Sequence, residues 1–172
     1  MEQPPQLQMR REDLAALPPL TAPVGLTIRR AVEADAAGIA TCLATAFGIA
    51  WDEARVRTEL LHHAEVLATF VVVSDGTVVA TASAPYQAAL YGDAGVLHWV
   101  AALPGQGGKG LGGLVSLAAL HHCAGCGLVA AMLLTDDARV PAIRTYRKLG
   151  LDRKSTRLNS SHERLSRMPS SA

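Results

Sequence analysis

Five glycines crowd into residues 105–112 (Gly105, Gly107, Gly108, Gly110 and Gly112), with Lys109 among them and Pro104 in front. An apolar run at 96–103 leads into this loop, and a helical pattern leaves it at Leu111. Glycines let a backbone come close to a ligand. The first N–H groups of the helix then point outward without partners, and the helix dipole favours an anion there. The chemistry implied is the cradling of a phosphate or pyrophosphate. A P-loop does not fit, because Leu103 stands where its first glycine is needed and Gly110 replaces its Ser or Thr. A dinucleotide fingerprint matches formally over residues 105–110, with Asp136 as a following acid. It would expect repeated βαβ units, and the chain around it lacks them.

The elements that must hold this loop can be placed by pattern. Residues 26–31 alternate like a strand, and 33–47 carry Ala36, Ile39, Ala40, Leu43 and Phe47 at helical spacing. Residues 52–63 read as a second helix with Asp52 as its cap. Runs at 66–73 and 77–84 flank Asp75-Gly76, a strong hairpin signal. A loop over 85–95 precedes the strand at 96–103. After the loop come a helix at 111–126, a buried strand at 128–135, and a last helix opened by Pro141 and closed by Gly150. The order expected is β-α-α-β-β-β-α-β-α.

The chain has 172 residues, 49% of them hydrophobic, and a net charge of +1. One domain with an Ala, Val and Leu core follows. The charge offers no reason to invoke nucleic acid, and no apolar run is long enough for a bilayer. Three cysteines (Cys42, Cys123, Cys126) argue against a secreted disulfide framework. A cytoplasmic protein with no membrane contact is expected. Cys123 and Cys126 lie at a helix end beside His121 and His122 without a second cysteine pair, so they read as packing rather than zinc or redox chemistry. No metal is expected. Five of the nine prolines fall in residues 1–25, which reads as an N-terminal arm.

The loop resembles the acyl-CoA-binding motif of the GNAT N-acetyltransferases, V-x-P-x-x-[RQ]-G-x-G-x-[GA], standing here as ALPGQGGKGLG at 102–112. The run PAIRTYRKLG at 141–150 is similar to the last helix of that family. The resemblance covers about residues 26–151. It implies an α/β fold, a mixed central sheet flanked by helices and short of its last strand. It implies acetyl-CoA as cosubstrate and direct attack by a primary amine of a small molecule or peptide, and it admits a homodimer. Backbone groups of Val100, Ala101 and Ala102 would hold the pantetheine arm, and those of Gly107, Gly108, Lys109, Gly110, Leu111 and Gly112 the pyrophosphate. Arg139 stands where many members have Asn. Tyr146 matches the tyrosine that protonates the departing thiolate.

Several of these residues have plainer readings. Tyr146 also has core spacing with Ile143 and Leu149. His98 could relay the proton of the amine, or be a buried structural histidine. Asp136 and Asp137 could orient an amine or shape a turn, and Trp51 and Trp99 could line an acceptor pocket or fill the core. A noncatalytic acyl-CoA binder or an inactive fragment is the rival from another class, and a dinucleotide oxidoreductase comes third. Residues 152–172 carry five basic side chains against two acidic ones and no apolar period. The strings DRKSTRLNSSH and SRMPSSA in this tail translate, codon by codon, a common short-read sequencing adapter. The tail is therefore expected to be non-native.

Overall fold

The computed structural model describes residues 6–106, 109–136 and 139–153. They form two four-stranded sheets. Strand β1 is Gln6–Arg11, β2 Leu26–Arg30, β3 Val66–Ser74 and β4 Thr77–Pro85. Strands β5 (Ala94–Val96), β6 (His98–Ala102), β7 (Ala130–Asp136) and β8 (Asp152–Arg153) follow. One sheet runs β2-β3-β4-β6, all antiparallel, and the other runs β5-β7-β1-β8. The helices are α1 (Ala36–Phe47), α2 (Glu53–Val56, extended by a wider turn over Arg57–Leu61), α3 (Ala88–Tyr91), α4 (Leu111–Gly125) and α5 (Val140–Lys148).

Each expected helix and strand has a counterpart, although the loop expected at 85–95 holds the short helix α3 and the start of β5, and three local chemistries explain most of them. The β3–β4 hairpin turns on Asp75 and Gly76, both left-handed (φ 47° and 76°), the geometry of the turn that matches strand twist. Helix α1 buries Ala36, Ile39, Ala40, Cys42 and Leu43, which is the stripe its sequence spaces out. Asp52 caps α2 by accepting from the Arg55 N–H at 2.8 Å. Helix α4 packs on β2, β3, β4, β6 and α5, and is accordingly apolar nearly all round.

Two further features depart from the expected pattern. The single strand at 96–103 is two strands: β5 pairs in parallel with β7, and β6 pairs antiparallel with β4. The chain crosses between sheets at Leu97, whose N–H still donates to Met132 O at 2.8 Å. Alternation alone cannot show such a transfer, since both halves are buried almost throughout. The proline-rich arm also contains β1, which lies between β7 and β8 in register from Gln6↔Asp136 to Arg11↔Ala131. Its Met9 is wholly buried, and Arg11 donates to Leu149 O at the end of α5 at 2.8 Å. The linker beyond it is tied down by Leu14 N–H to Val129 O (2.9 Å) and by the His121 ring against Pro18 O (2.8 Å).

Candidate active site

Beyond Leu97 the two sheets part. Strand β6 keeps β4 on one side and has no strand paired on the side toward β7 among the described residues. A wedge opens there, walled by Val100 and Ala101, which are buried, and by half-buried Ala102. At the head of this strand Trp99 is left-handed (φ 52°). Two residues, Trp99 and Val100, stand opposite Ala82 alone between the pairs Thr81↔Ala101 and Ser83↔His98. This bulge re-aims the side chains of β6 where the wedge begins. A tryptophan at positive φ is a strained conformation.

The wedge leads to the glycine loop. Gly105 (φ 82°) and Gly110 (φ 64°) adopt backbone conformations natural only to glycine, and Gly110 is the residue on which α4 starts. No side chain caps that helix and no acid lies in its first turn. The N–H groups of Leu111, Gly112 and Gly113 precede the first intrahelical bond, Leu114 N–H to Gly110 O at 3.0 Å. A Cβ added at Gly112 would meet nothing within 4 Å, so the approach to this terminus is open. Lys109 is exposed and donates to Gln106 Oε1 at 2.7 Å. The donors present fit a pyrophosphate group. Gly107 and Gly108, expected in the same cradle, lie outside the described residues, as does Asp137.

Tyr146 is 1% exposed and shares its core cluster with Val100 of β6 and Leu111 of α4. Tyr146 is thus a core side chain of α5, and the core spacing noted in the sequence is real. Arg139 precedes α5, 3.5 Å from Asp136 Oδ2 and 5.2 Å over the Phe47 ring. It is thereby held near the end of β7 rather than at the glycine loop, which leaves a phosphate role for Arg139 unsupported by its contacts.

On the other side of β6 lies a cavity of about 320 Å³ whose floor includes His98 and Trp99. His98 is 8% exposed and its ring lies 4.7 Å from that of Trp99. Phe47 and Trp51 meet Trp99 edge-on at 5.1 and 4.8 Å. Trp51 stands behind Trp99 as packing, while Trp99 does line the cavity. The rim carries Arg55, Glu59, His63 and Glu65, none of which the sequence marked out. They lie on α2 and in the loop that follows it and share no motif; a charged cluster around the end of α2 was the only hint.

Cys123 is buried, its thiol pushed up to about 12 by desolvation and then by neighbouring Cys126. A Cβ at Gly95 would come within 2.6 Å of the Cys123 sulfur, so the thiol fills the space that glycine leaves between β5 and α4. Cys126 is exposed, 3.6 Å from His122 Nε2, and no cluster of ligands suited to a metal occurs among the described residues. The packing reading fits Cys123; Cys126, expected to pack as well, is exposed.

A strand with a bulge and one unpaired side, followed by a glycine loop and an uncapped helix, is the frame of an α/β class that offers backbone N–H groups to an anion. The chain belongs to the Acetyltransferase (GNAT) family, whose profile matches residues 37–151. It is similar to a mycothiol acetyltransferase of Nocardioides, at 32% identity over 83% of this chain and 55% of that protein. The chain thus spans about half the length of this curated relative. Among solved structures, a GCN5-related N-acetyltransferase from Sphaerobacter thermophilus superposes with TM-score 0.70 at 22% identity, covering 87% of this chain and 48% of the other. One from Kribbella flavida superposes with TM-score 0.62 at 24% identity, covering 88% and 54%. These two likenesses are of fold.

Proposed function

We propose that this chain transfers the acetyl group of acetyl-CoA to the primary amine of a small molecule. The observation that carries this reading is the open wedge between β6 and β7, ending on the uncapped start of α4. Acetyl-CoA supplies an activated thioester. The N–H groups of Leu111 and Gly112 take its pyrophosphate together with Gly107, Gly108, Lys109 and Gly110, and backbone groups of Val100, Ala101 and Ala102 hold the pantetheine arm. The amine enters from the cavity beside His98. Its nitrogen bonds to the carbonyl carbon as the C–S bond breaks; Tyr146 gives its phenolic proton to the sulfur, and His98, directly or through water, takes the proton lost by nitrogen. A cavity of this size, at the small end for ligand sites, suits a small molecule better than a protein chain. The relative named mycothiol acetyltransferase supports a small-molecule acceptor too.

The same reading places the protein in the cytoplasm, as a monomer or homodimer. No helix among the described residues is long and apolar enough to cross a membrane. The test is thermal. Acetyl-CoA at about a hundred times its dissociation constant adds about 2.7 kcal/mol of stability and NAD adds none; release of free CoA thiol with added amines then follows. Stabilisation by NAD instead would restore the oxidoreductase reading. Stabilisation by acetyl-CoA with no thiol release from a broad amine panel would leave a binder without catalysis.

A further inference from the structure

The cavity beside His98 carries an uncompensated negative charge. Its titratable lining groups are Arg55, Glu59, His63, Glu65, Tyr91 and His98. The guanidinium of Arg55 is already committed. It donates from Nε to Glu59 Oε1 at 2.9 Å and from Nη1 to Ala50 O at 2.8 Å, and it lies 4.0 Å over the Trp51 ring. The one cationic side chain is thereby matched by Glu59. Glu65 is different: its carboxylate accepts from the Gln87 side-chain amide. An amide satisfies an oxygen without cancelling its charge. The His63 ring is turned to the backbone rather than to this carboxylate, its Nδ1 lying 3.1 Å from the Glu65 backbone N–H.

Building on the amine-acceptor reading above, we propose that Glu65 selects the acceptor by the charge at its far end, favouring a second cation and excluding carboxylates and phosphates. The reacting amine has to be neutral to attack, and a carboxylate placed on it would keep it protonated. Glu65 is exposed, at the rim, while His98 and Trp99 are on the floor. The carboxylate therefore meets the end of an acceptor remote from the reacting nitrogen. Apolar walls at Leu60, Val66 and Val96 reduce solvent screening between them.

A charge series isolates this effect. Terminal aminohexanoate, aminohexanamide and diaminohexane present closely similar reacting amines and far ends that are negative, neutral and positive. With saturating acetyl-CoA, kcat/KM measured by CoA release is expected to rise in that order. Glu65→Gln should narrow the spread between diamine and acid by roughly fivefold, the scale of one rim charge, mainly through KM. Glu65→Lys should invert the order, while Glu65→Asp should largely preserve it. A spread unchanged in Glu65→Gln, or an acid that reacts as well as the diamine in wild type, overturns the proposal and leaves acetyl transfer standing. No CoA release from any of the three while another amine of the broad panel reacts overturns this inference alone; no release from the whole panel sinks the acetyl-transfer reading and this inference with it.

Discussion

Tyr146 and Gly112 carry opposite kinds of risk, one buried in the core and one open to solvent. Tyr146→Phe keeps the buried ring in the core cluster and removes only the hydroxyl. Turnover should fall about a hundredfold, the lower end for a positioned proton donor, with the stabilisation by acetyl-CoA unchanged; kcat and a melting curve check both. Loss of acetyl-CoA stabilisation would reduce Tyr146 to packing. Gly112→Asp reverses the logic. The side chain has room, and an acid in the first turn of a helix stabilises it by about 0.3–1 kcal/mol. The free protein should therefore melt no lower than wild type, while the melting shift caused by acetyl-CoA should vanish through repulsion of the pyrophosphate. A variant that keeps that shift would move the phosphate site away from α4.

Among the elements, the entry to α1 holds a compact ion pair. Arg29 on β2 donates to both carboxylate oxygens of Asp35, at 2.7 and 2.9 Å, and the Val32 N–H donates to the same group at 2.7 Å. The hydrogen bond from Arg29, chiefly, holds the Asp35 carboxyl below its ordinary range, against the opposing effect of burial. A depressed carboxyl stabilises the fold above its unfolded pKa and loses that contribution as pH falls through the folded value. Thermal stability should therefore drop on acidification below the usual aspartate range, and Asp35→Asn should flatten that part of the profile at a cost of about 1–3 kcal/mol at neutral pH. A variant with the wild-type acid slope would assign the pH dependence to other carboxylates. The other element to test is β1. Removing residues 1–11 empties the place of Met9 in the core and strips the partner from the whole length of β7. Burying a side chain of this kind contributes about 1.5–3 kcal/mol before any strand pairing is counted, a large part of a typical domain's stability. The truncated chain should lose its cooperative melting transition; retention of it would make β1 an accessory strand.

For the molecule as a whole, legibility in the sequence followed the range of the interaction. The hairpin at Asp75-Gly76, the stripe of α1 and the glycine loop are written within a few residues of each other, and local rules found them. So was the pairing of loop with Tyr146 helix, through resemblance. The transfer of the chain between sheets at Leu97 was hidden because both sheets demand the same apolar residues. The cavity rim was hidden because Arg55, Glu59, His63 and Glu65, though close in the sequence, border a cavity whose other walls come from β4, β5 and β6. β1 was hidden deepest, a strand of mixed residues in a proline-rich segment whose partners lie at the opposite end of the chain. That last distance has a consequence for the order of events during synthesis. β1 leaves the ribosome well before β7 and must wait, unpaired, until β7 has followed it out, so the sheet beneath the site cannot close before then. Non-local pairing of this kind is slow, and the N-terminal segment spends that interval as an exposed edge in search of its place.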